Sequence, residues 1–257
     1  HHSAMNVYRD IALRLRHARR VLFITGAGLS ADSGLPTYRG LGGLYEDAFT
    51  DEGYSIEEAL SGEMMAARPE VTWKYLLEIE RNCRGARPNL AHEVIAGLER
   101  IVPEVLVYTQ NVDGLHSAAG SSDIIEIHGN LHDLHCTHCR FATRVETYAG
   151  LGDPPLCPKC LAPVRPAVVL FGEALPEAAV ARLEAAFAED FDIVFSIGTS
   201  SLFPYIVQPV LWAQASGAAT VEINPAETVL SAHVDFPVAA GAAEAMGRIW
   251  HALLAET

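Results

Sequence analysis

The stretch from Val21 to Gly34 constrains the fold more than any other part of the chain. Its first four residues, Val21 to Ile24, are apolar and mostly β-branched or aromatic, which is typical of a buried strand. A turn containing Gly26 and Gly28 follows at once, and the residues after it can begin a helix. The sequence is therefore predicted to be organised around a strand–turn–helix unit.

The same turn predicts a phosphate-binding site. Gly26 and Gly28 lack Cβ atoms, so phosphates could approach the backbone, where N–H groups and the positive end of the next helix would hold them. Ala31 takes the third small position of the G-x-G-x-x-G/A dinucleotide fingerprint. The alternative is a tight turn without a ligand, because this fingerprint alone has low specificity.

The residues after the turn disfavour an ordinary dehydrogenase. The fingerprint requires an acidic residue about 20 positions on, at the end of the second strand, to hold the ribose. Glu46 and Asp47 have that spacing, but they follow the glycine-rich segment 40–43, which is typical of a loop. Any nucleotide is therefore predicted to be held by other residues.

Composition limits the protein class. The 257 residues are half hydrophobic, which suits one large domain or one domain with a small insert. The net charge of −14 argues against direct nucleic-acid binding and is compatible with lysine-rich partners. No apolar run is long enough for a membrane span, so a cytoplasmic protein without membrane contact is expected. Residues 1–4 resemble an expression-tag remnant before Met5.

Helical and strand patterns alternate along most of the chain. Alternation predicts a largely parallel sheet with right-handed crossovers. The predicted helices are 7–20, 56–60, 71–83, 90–98, 176–190, 205–216 and 241–254. The predicted strands after the first are 104–109, 124–127, 168–171, 192–197 and 220–223.

Polar residues follow several predicted strands, where open α/β sheets place their ligands. Gln110, Asn111 and Asp113 follow one strand, and their amides suit ribose hydroxyls or a carboxamide. His128 follows the next strand and is a candidate general base, because the ordinary pKa of histidine is near neutrality. The alternatives are a polar turn and a structural histidine, and His132, His135 and His138 compete for the role. Gly198 to Ser201 and Asn224 follow two later strands.

Four of the five cysteines form two C-x-x-C pairs separated by 17 residues. Each pair can hold one side of an ion, so together they predict one tetrahedral zinc site. Four thiolates leave no open position, so this zinc ion is expected to be structural. Cys83 stands apart and is predicted to be a packing residue. The predicted ligands are Cys136, Cys139, Cys157 and Cys160.

Together these motifs resemble the sirtuin family of NAD-dependent protein deacylases over nearly the whole chain after Met5. The resemblance implies a Rossmann-like, mostly parallel sheet with helices on both faces. It also implies a small domain made of a helical module and a zinc-binding module. The large domain would comprise residues 5–40, 87–132 and 163–257, the helical module 41–86 and the zinc module 133–162. The motifs that carry the resemblance are Gly26 to Ser30 through Arg39, Gln110 to Asp113, His128-Gly129, the four cysteines, Phe171 to Glu173, Gly198 to Ser200 and Asn224.

The resemblance also implies which residues contact NAD, the co-substrate. Gly26, Ala27 and Gly28 would contact the diphosphate, and Arg39 would orient NAD. The residues that would contact the ribose and nicotinamide of NAD are Gln110, Asn111, Asp113 and His128. Those that would contact the adenosine half are Gly198, Thr199, Ser200, Asn224 and Ala242. Ala31, Thr37 and Tyr38 complete the candidate cofactor contacts.

For the second substrate, the resemblance implies an acylated lysine of a protein, bound as an added strand. The candidate contacts are Val169, Phe171, Gly172 and Glu173. The acyl oxygen would attack the ribose carbon as nicotinamide leaves, His128 would act as general base, and O-acyl-ADP-ribose would be released. Asn111 and Asp113 would position the reacting groups.

The chain departs from the family pattern at two aromatic positions, and it lacks the pattern of the desuccinylating branch. Tyr38 and Tyr45 stand where the family commonly has Phe and Trp, and both keep an aromatic ring. Gly40 follows Arg39 where the desuccinylating branch has Ala, and no Tyr-x-x-Arg pair occurs in the helical module. Acetyl and other uncharged acyl groups are therefore predicted.

Three other functions are alternatives. A mono-ADP-ribosyltransferase on the same scaffold would share the NAD site. A non-enzymatic zinc-ribbon module is disfavoured by the acidic charge and the polar strand ends, and a hydride-transferring dehydrogenase by the missing ribose carboxylate. Oligomeric state is not predicted from the sequence, and a monomer is compatible with it.

Overall fold

The computed structural model describes residues 4–36 and 50–255, with no side-chain detail for Ala4 and Met5. Within these ranges, a six-stranded parallel sheet has the order β3-β2-β1-β7-β8-β9. Its strands are β1 (Arg20–Thr25), β2 (Glu104–Thr109), β3 (Ile124–Glu126), β7 (Ile193–Ile197), β8 (Ala219–Ile223) and β9 (Phe236–Val238). The predicted parallel sheet is confirmed.

A second, three-stranded antiparallel sheet has the order β5-β4-β6. It consists of β4 (Gly129–Cys136), β5 (Ala142–Arg144) and β6 (Val164–Val168). The helices are α1 (Ala4–His17), α2 (Ala27–Ser30), α3 (Ile56–Ala59), α4 (Gly62–Ala67), α5 (Pro69–Cys83), α6 (Leu90–Gly97), α7 (Leu115–Ala119), α8 (Glu177–Ala186), α9 (Pro204–Ala215) and α10 (Ala242–Ala255).

Strand β1 lies at the centre of the large sheet and is buried on both faces. Val21 and Phe23 belong to one core with α1, α6 and α10, whereas Leu22 and Ile24 belong to another with α8 and α9. Successive side chains of a strand point to opposite faces, so a continuous apolar run suits a strand covered on both sides. Helices therefore cover both faces, as predicted.

The small domain has its own core, shared by helices α3–α5 and the antiparallel sheet. Trp73 of α5 is fully buried and donates from Nε1 to the Val164 carbonyl at 2.8 Å. Its ring meets that of Tyr148 at 5.4 Å between centroids. The helical and zinc modules therefore pack as one unit, although they are far apart in sequence.

Several predicted elements differ from the structure. The predicted helix 7–20 ends at His17, and Arg20 already pairs with Glu104 in the sheet. The predicted strand 168–171 is β6, which ends at Val168. Pro166 argues against a strand in the sequence, but β6 is an edge strand, where proline is tolerated. Strand β4 was missed because its residues Gly129 to Cys136 are largely polar.

Within residues 4–36 and 50–255, the helices are all too short or too polar to cross a membrane.

Candidate active site

A cavity of about 510 Å³ lies where the carboxyl edge of the large sheet meets the small domain. Its volume is within the range of about 300–1,000 Å³ found for ligand pockets. The large domain contributes Ala27 and Ser30 from α2, the segment 110–113 after β2, and His128. The small domain contributes α3 and α5. Most of the polar residues predicted from the ends of β2 and β3 are therefore brought together.

The loops after β1 and β7 contact each other through their main chains. The N–H groups of Gly26 and Gly28 donate to the carbonyls of Ile197 and Gly198, at 3.0 and 2.8 Å. A Cβ on Gly28 would lie 2.7 Å from Gly198 Cα, and one on Gly198 would lie 2.3 Å from Leu29 N. The glycines are thus required by the contact between the two loops, a reason that the sequence did not reveal.

Asn111, Asp113 and Ser30 form a hydrogen-bonded group beside this junction. Asn111 Nδ2 donates to the Gly26 carbonyl at 2.9 Å, and Ser30 Oγ donates to Asp113 Oδ2 at 2.6 Å. The other Asp113 oxygen accepts at 3.0 Å from the N–H of Leu115, the first residue of helix α7. These contacts hold both predicted positioning residues against the glycine turn.

A second polar group links the ends of β2, β7 and β8. Gln110 Nε2 donates to Thr199 Oγ1 at 2.9 Å, and Asn224 Nδ2 donates to the Thr199 carbonyl at 2.8 Å. Thr199 is buried, whereas Ser200 is exposed. Gln110, Thr199 and Asn224 are therefore neighbours in space, as predicted from their positions after parallel strands.

His128 faces the cavity with a defined arrangement of its two ring nitrogens. Nδ1 lies 3.2 Å from the Gln110 carbonyl, which can only accept, so Nδ1 carries the proton. Nε2 therefore accepts from the Tyr205 hydroxyl at 2.7 Å. Burial lowers the pKa of His128, and the bond to Gln110 raises it by a smaller amount. A neutral imidazole with its basic nitrogen toward the cavity is the state a general base requires.

The competing histidines lie elsewhere. His132 Nδ1 is bonded to the Val145 carbonyl and His135 Nδ1 to the Cys136 carbonyl. Among the described residues that line the cavity, His128 is the one histidine.

Among the described residues, the predicted cofactor contacts that do not line the cavity are Gly26, Gly28, Ala31, Gly198, Thr199, Ser200, Asn224 and Ala242. Ala31 is exposed in a short 3-10 turn, and Ala242 is buried in the core at the start of α10. Thr37, Tyr38 and Arg39 lie outside the described residues.

The part of the cavity within the small domain is apolar. None of the described lining residues there carries a positive charge. Leu76 and Ile79 come from one face of α5, and both are buried. The apolar lining residues of this part are Ile56, Leu60, Leu76, Ile79, Val112, Leu131 and Leu170, with Cys83 at the end of α5.

The segment 169–173 forms one wall of the cavity mouth. Val169 N donates to the His128 carbonyl at 2.9 Å, and Phe171 pairs with Ser61 in a parallel bridge. Arg165 binds both carboxylate oxygens of Glu173 at 2.8 Å, and Leu170 N donates to the same carboxylate. Glu173 therefore holds the wall in place with a carboxylate that is already bound on both oxygens.

The four predicted zinc ligands converge. Their sulfur atoms all lie within 4.8 Å of one another. Cys136 Sγ lies 3.4 Å from Cys160 Sγ, and Cys139 Sγ lies 3.6 Å from Cys157 Sγ. A tetrahedral ion with bonds of about 2.3 Å requires sulfur separations of this size. Four soft sulfur donors fit one structural zinc ion, as predicted.

Three residues important to the site were not assigned from the sequence. Ser30 lies within the glycine motif, so its position there was a usable signal. Tyr205 and Arg165 carry no such signal, because their partners His128 and Glu173 are identified only in the folded chain.

The chain is similar to known proteins along most of its length. A Sir2 family model matches residues 26–204. NAD-dependent protein deacylase 2 of Pseudomonas syringae pv. tomato is 50% identical over 241 residues, covering 93% of this chain and 97% of that protein. A Sir2 homolog–NAD complex superposes with a TM-score of 0.84 at 34% identity, covering 96% and 94% of the two chains. A complex of Sir2 with a p53 peptide and NAD+ superposes with a TM-score of 0.81 at 28% identity, covering 94% of this chain and 96% of that chain.

Proposed function

The chain belongs to the Sir2 family and is an NAD-dependent protein deacylase, and we propose that its reaction takes place in the cavity at the carboxyl edge of the large sheet. Acylated lysines of proteins are its substrates, and the acyl group passes to ADP-ribose. This placement is supported by one observation: Asn111, Asp113 and His128 line the same cavity as the apolar residues of the small domain.

In this proposal NAD lies across the loops after β1, β2, β7 and β8. The turn from Gly26 to Gly28 contacts the diphosphate, and the group formed by Gln110, Thr199 and Asn224 lies toward the adenosine half. Gly198, Ser200, Ala31 and Ala242 stay predicted contacts of NAD, as do Thr37, Tyr38 and Arg39. The N–H groups of Gly26 and Gly28 already donate to protein carbonyls. The assignment of the diphosphate to this turn therefore rests on the shape of the turn and not on free N–H donors.

His128 is proposed to take the proton from a ribose hydroxyl. Its Nδ1–H is held by the Gln110 carbonyl, which leaves Nε2 as the nitrogen that can accept a proton. Asn111 and Asp113 are held by Gly26 and Ser30 and would position the reacting groups, which lowers the entropic part of the barrier.

The acyl chain is proposed to enter the apolar part of the cavity. A carboxylate on the acyl group would have to lose its hydration there without a described cation to pair with, and burying an unpaired charge is costly. Leu76 and Ile79 provide the apolar floor. The substrates are therefore proposed to carry acetyl or longer uncharged acyl groups, in agreement with the sequence prediction.

The peptide around the acylated lysine is proposed to lie along Val169, Phe171 and Gly172. Phe171 lines the cavity and is 47% exposed, so a bound peptide could contact it. Gly172 follows it with φ +83. Glu173 supports this wall through Arg165. A cytoplasmic location and the limits of the two domains remain predictions from the sequence.

Mass spectrometry of acyl-lysine peptides, incubated with and without NAD, tests the proposal. We expect NAD-dependent loss of acetyl and of longer uncharged acyl groups, with O-acyl-ADP-ribose formed, and little loss of succinyl. His128→Ala should abolish turnover while binding of NAD persists, and His233→Ala, at an exposed position, is the control.

Two outcomes would contradict the proposal. Faster loss of succinyl than of acetyl would refute the acyl assignment. An ADP-ribose mass gained by the protein, without acyl loss, would favour the transferase.

A further inference from the structure

The basic nitrogen of His128 already has a partner in this structure. The Tyr205 hydroxyl lies 2.7 Å from Nε2, while Nδ1–H is directed to the Gln110 carbonyl. Both nitrogens of the proposed base are thus bonded to the protein itself. The proposed function requires Nε2 to accept a proton from a ribose hydroxyl, and an imidazole nitrogen has one lone pair, in the plane of the ring. Tyrosine and ribose hydroxyls therefore compete for the same position.

We propose that Tyr205 is a positioning residue that occupies Nε2 of His128 in the free enzyme and yields it to a ribose hydroxyl when NAD binds. This inference rests on the proposed function of His128. Tyr205 is not a catalytic residue in this scheme, since the proton passes from the ribose oxygen to Nε2 and Tyr205 keeps its own. Burial raises the pKa of Tyr205, which keeps the hydroxyl protonated.

The surroundings of Tyr205 allow its side chain to leave without unfolding the helix. Its main chain is fixed, because the Tyr108 hydroxyl donates to the Tyr205 carbonyl at 2.8 Å. Its ring is half-buried at the second position of α9 and stacks on Phe203, with centroids 5.2 Å apart and planes at 14°. Phe203 is itself 43% exposed. A rotation of this ring pair releases Nε2 while the fixed main chain keeps α9 in place.

The exchange has an energetic consequence. NAD must replace one neutral hydrogen bond before His128 can act, and such a bond contributes about 0.5–1.5 kcal/mol net, which is a factor of about 2–10 in affinity. Removing the hydroxyl should therefore strengthen NAD binding. Loss of a merely structural tyrosine would weaken it or leave it unchanged.

The test compares wild type with Tyr205→Phe and uses two measurements. Titration calorimetry with NAD alone should show a dissociation constant about 2- to 10-fold lower for the variant. Diethylpyrocarbonate, which acylates unprotonated imidazole, should modify His128 faster in the variant, as mapped by peptide mass spectrometry. Saturating NAD should protect His128 in both proteins.

Tyr108→Phe is the matched control, because it removes a tyrosine hydroxyl that contacts the main chain of Tyr205 but not His128. It should not increase either NAD affinity or His128 reactivity. Unchanged reactivity and affinity in Tyr205→Phe would overturn the inference, and so would a loss of turnover with unchanged affinity, which indicates a proton relay through Tyr205. Absence of NAD binding or of deacylation by wild type would instead refute the proposed site.

Discussion

At the scale of single residues, the main chain determines which nitrogen of His128 is basic. The Gln110 carbonyl accepts a hydrogen bond from Nδ1–H. Gln110 follows β2 and His128 follows β3, so the tautomer depends on how these paired strands place the two residues. Burial lowers the pKa of the imidazole and keeps it neutral near physiological pH. The geometry and the protonation state therefore both suit a base.

The pH dependence of turnover follows from this lowered pKa. His128 is active when neutral, so the rate should be constant at neutral pH and fall as the pH drops through the folded-state pKa. Because burial lowers that pKa, the pH at which half of the rate is lost should lie below the ordinary histidine pKa of about 6.5. Single-turnover rates between pH 5 and 8 measure this, with His233→Ala expected to keep the same profile. A midpoint above 7 would contradict the assignment.

Among the elements, the site depends on two loops that contact each other through main-chain hydrogen bonds. Gly198 has φ +65, and an added Cβ would meet the backbone of the β1–α2 turn. Side chains there would push the ends of β1 and β7 apart. The separation of the two strand ends is thus determined by the absence of two Cβ atoms.

Gly198→Ala should be more destabilising than a glycine substitution with the same backbone strain. Gly85, with φ +81 and no atom within 4 Å of a built Cβ, is the matched control. Both variants incur left-handed strain of about 1–3 kcal/mol, and Gly198→Ala adds overpacking of about 1–3 kcal/mol. Urea denaturation compares the two variants. An equal loss of unfolding free energy in the two variants would mean that the two loops can separate without cost.

The zinc site should stabilise the small domain as an element. The segment between the cysteine pairs contains Tyr148, whose hydroxyl donates to the Leu131 carbonyl at 2.5 Å in the core shared with α5. Cys160→Ser should lose bound zinc and lower the thermal transition, because metal binding is coupled to folding. Cys83→Ser should retain one zinc per chain by metal analysis. A zinc-free Cys160→Ser protein with unchanged stability would contradict a structural role.

At the scale of the whole molecule, a buried polar chain runs behind the cavity. His116 lies against His92 with ring centroids 5.1 Å apart, and its Nε2 lies 2.8 Å from Thr25 Oγ1. Thr25 donates to Thr109, whose Oγ1 accepts from Asn111 N at 3.0 Å. Helices α6 and α7 are connected in this way to β1, β2 and the loop that carries Asn111.

Acid should weaken the fold through these histidines. Burial lowers the pKa of His92 to about 4 and that of His116 to about 3. The unfolded chain, with an ordinary pKa near 6.5, binds more protons between these values, so stability is complete above about pH 6.5 and declines as pH falls toward 4. Denaturation midpoints at several pH values should show this. His116→Gln should make the denaturation midpoint depend less steeply on pH. A denaturation midpoint that does not change with pH would be inconsistent with burial of neutral imidazole rings.

The element order was largely predictable because local composition determines it. Strand β2 was predicted at Glu104–Thr109, where the structure has it, since a run buried on both faces contains few polar residues. Strand β4 could not be predicted, because its polar residues are stabilised by pairing with β6 across the bulge between Asn130 and Leu134. Pairing of this kind is non-local and leaves little periodicity in the sequence.

The chemical groups and their order could be identified from the residues alone: the glycine turn, the polar strand ends, His128 and the four cysteines. These follow from residue type, spacing and the rule that parallel strands present their carboxyl ends at one edge. The folded chain was needed to show that Gly28 contacts Gly198, that Glu173 is bound by Arg165, and that the Tyr205 hydroxyl is bonded to His128. Each of these contacts joins residues from separate elements, so each depends on packing and register, which local sequence does not encode.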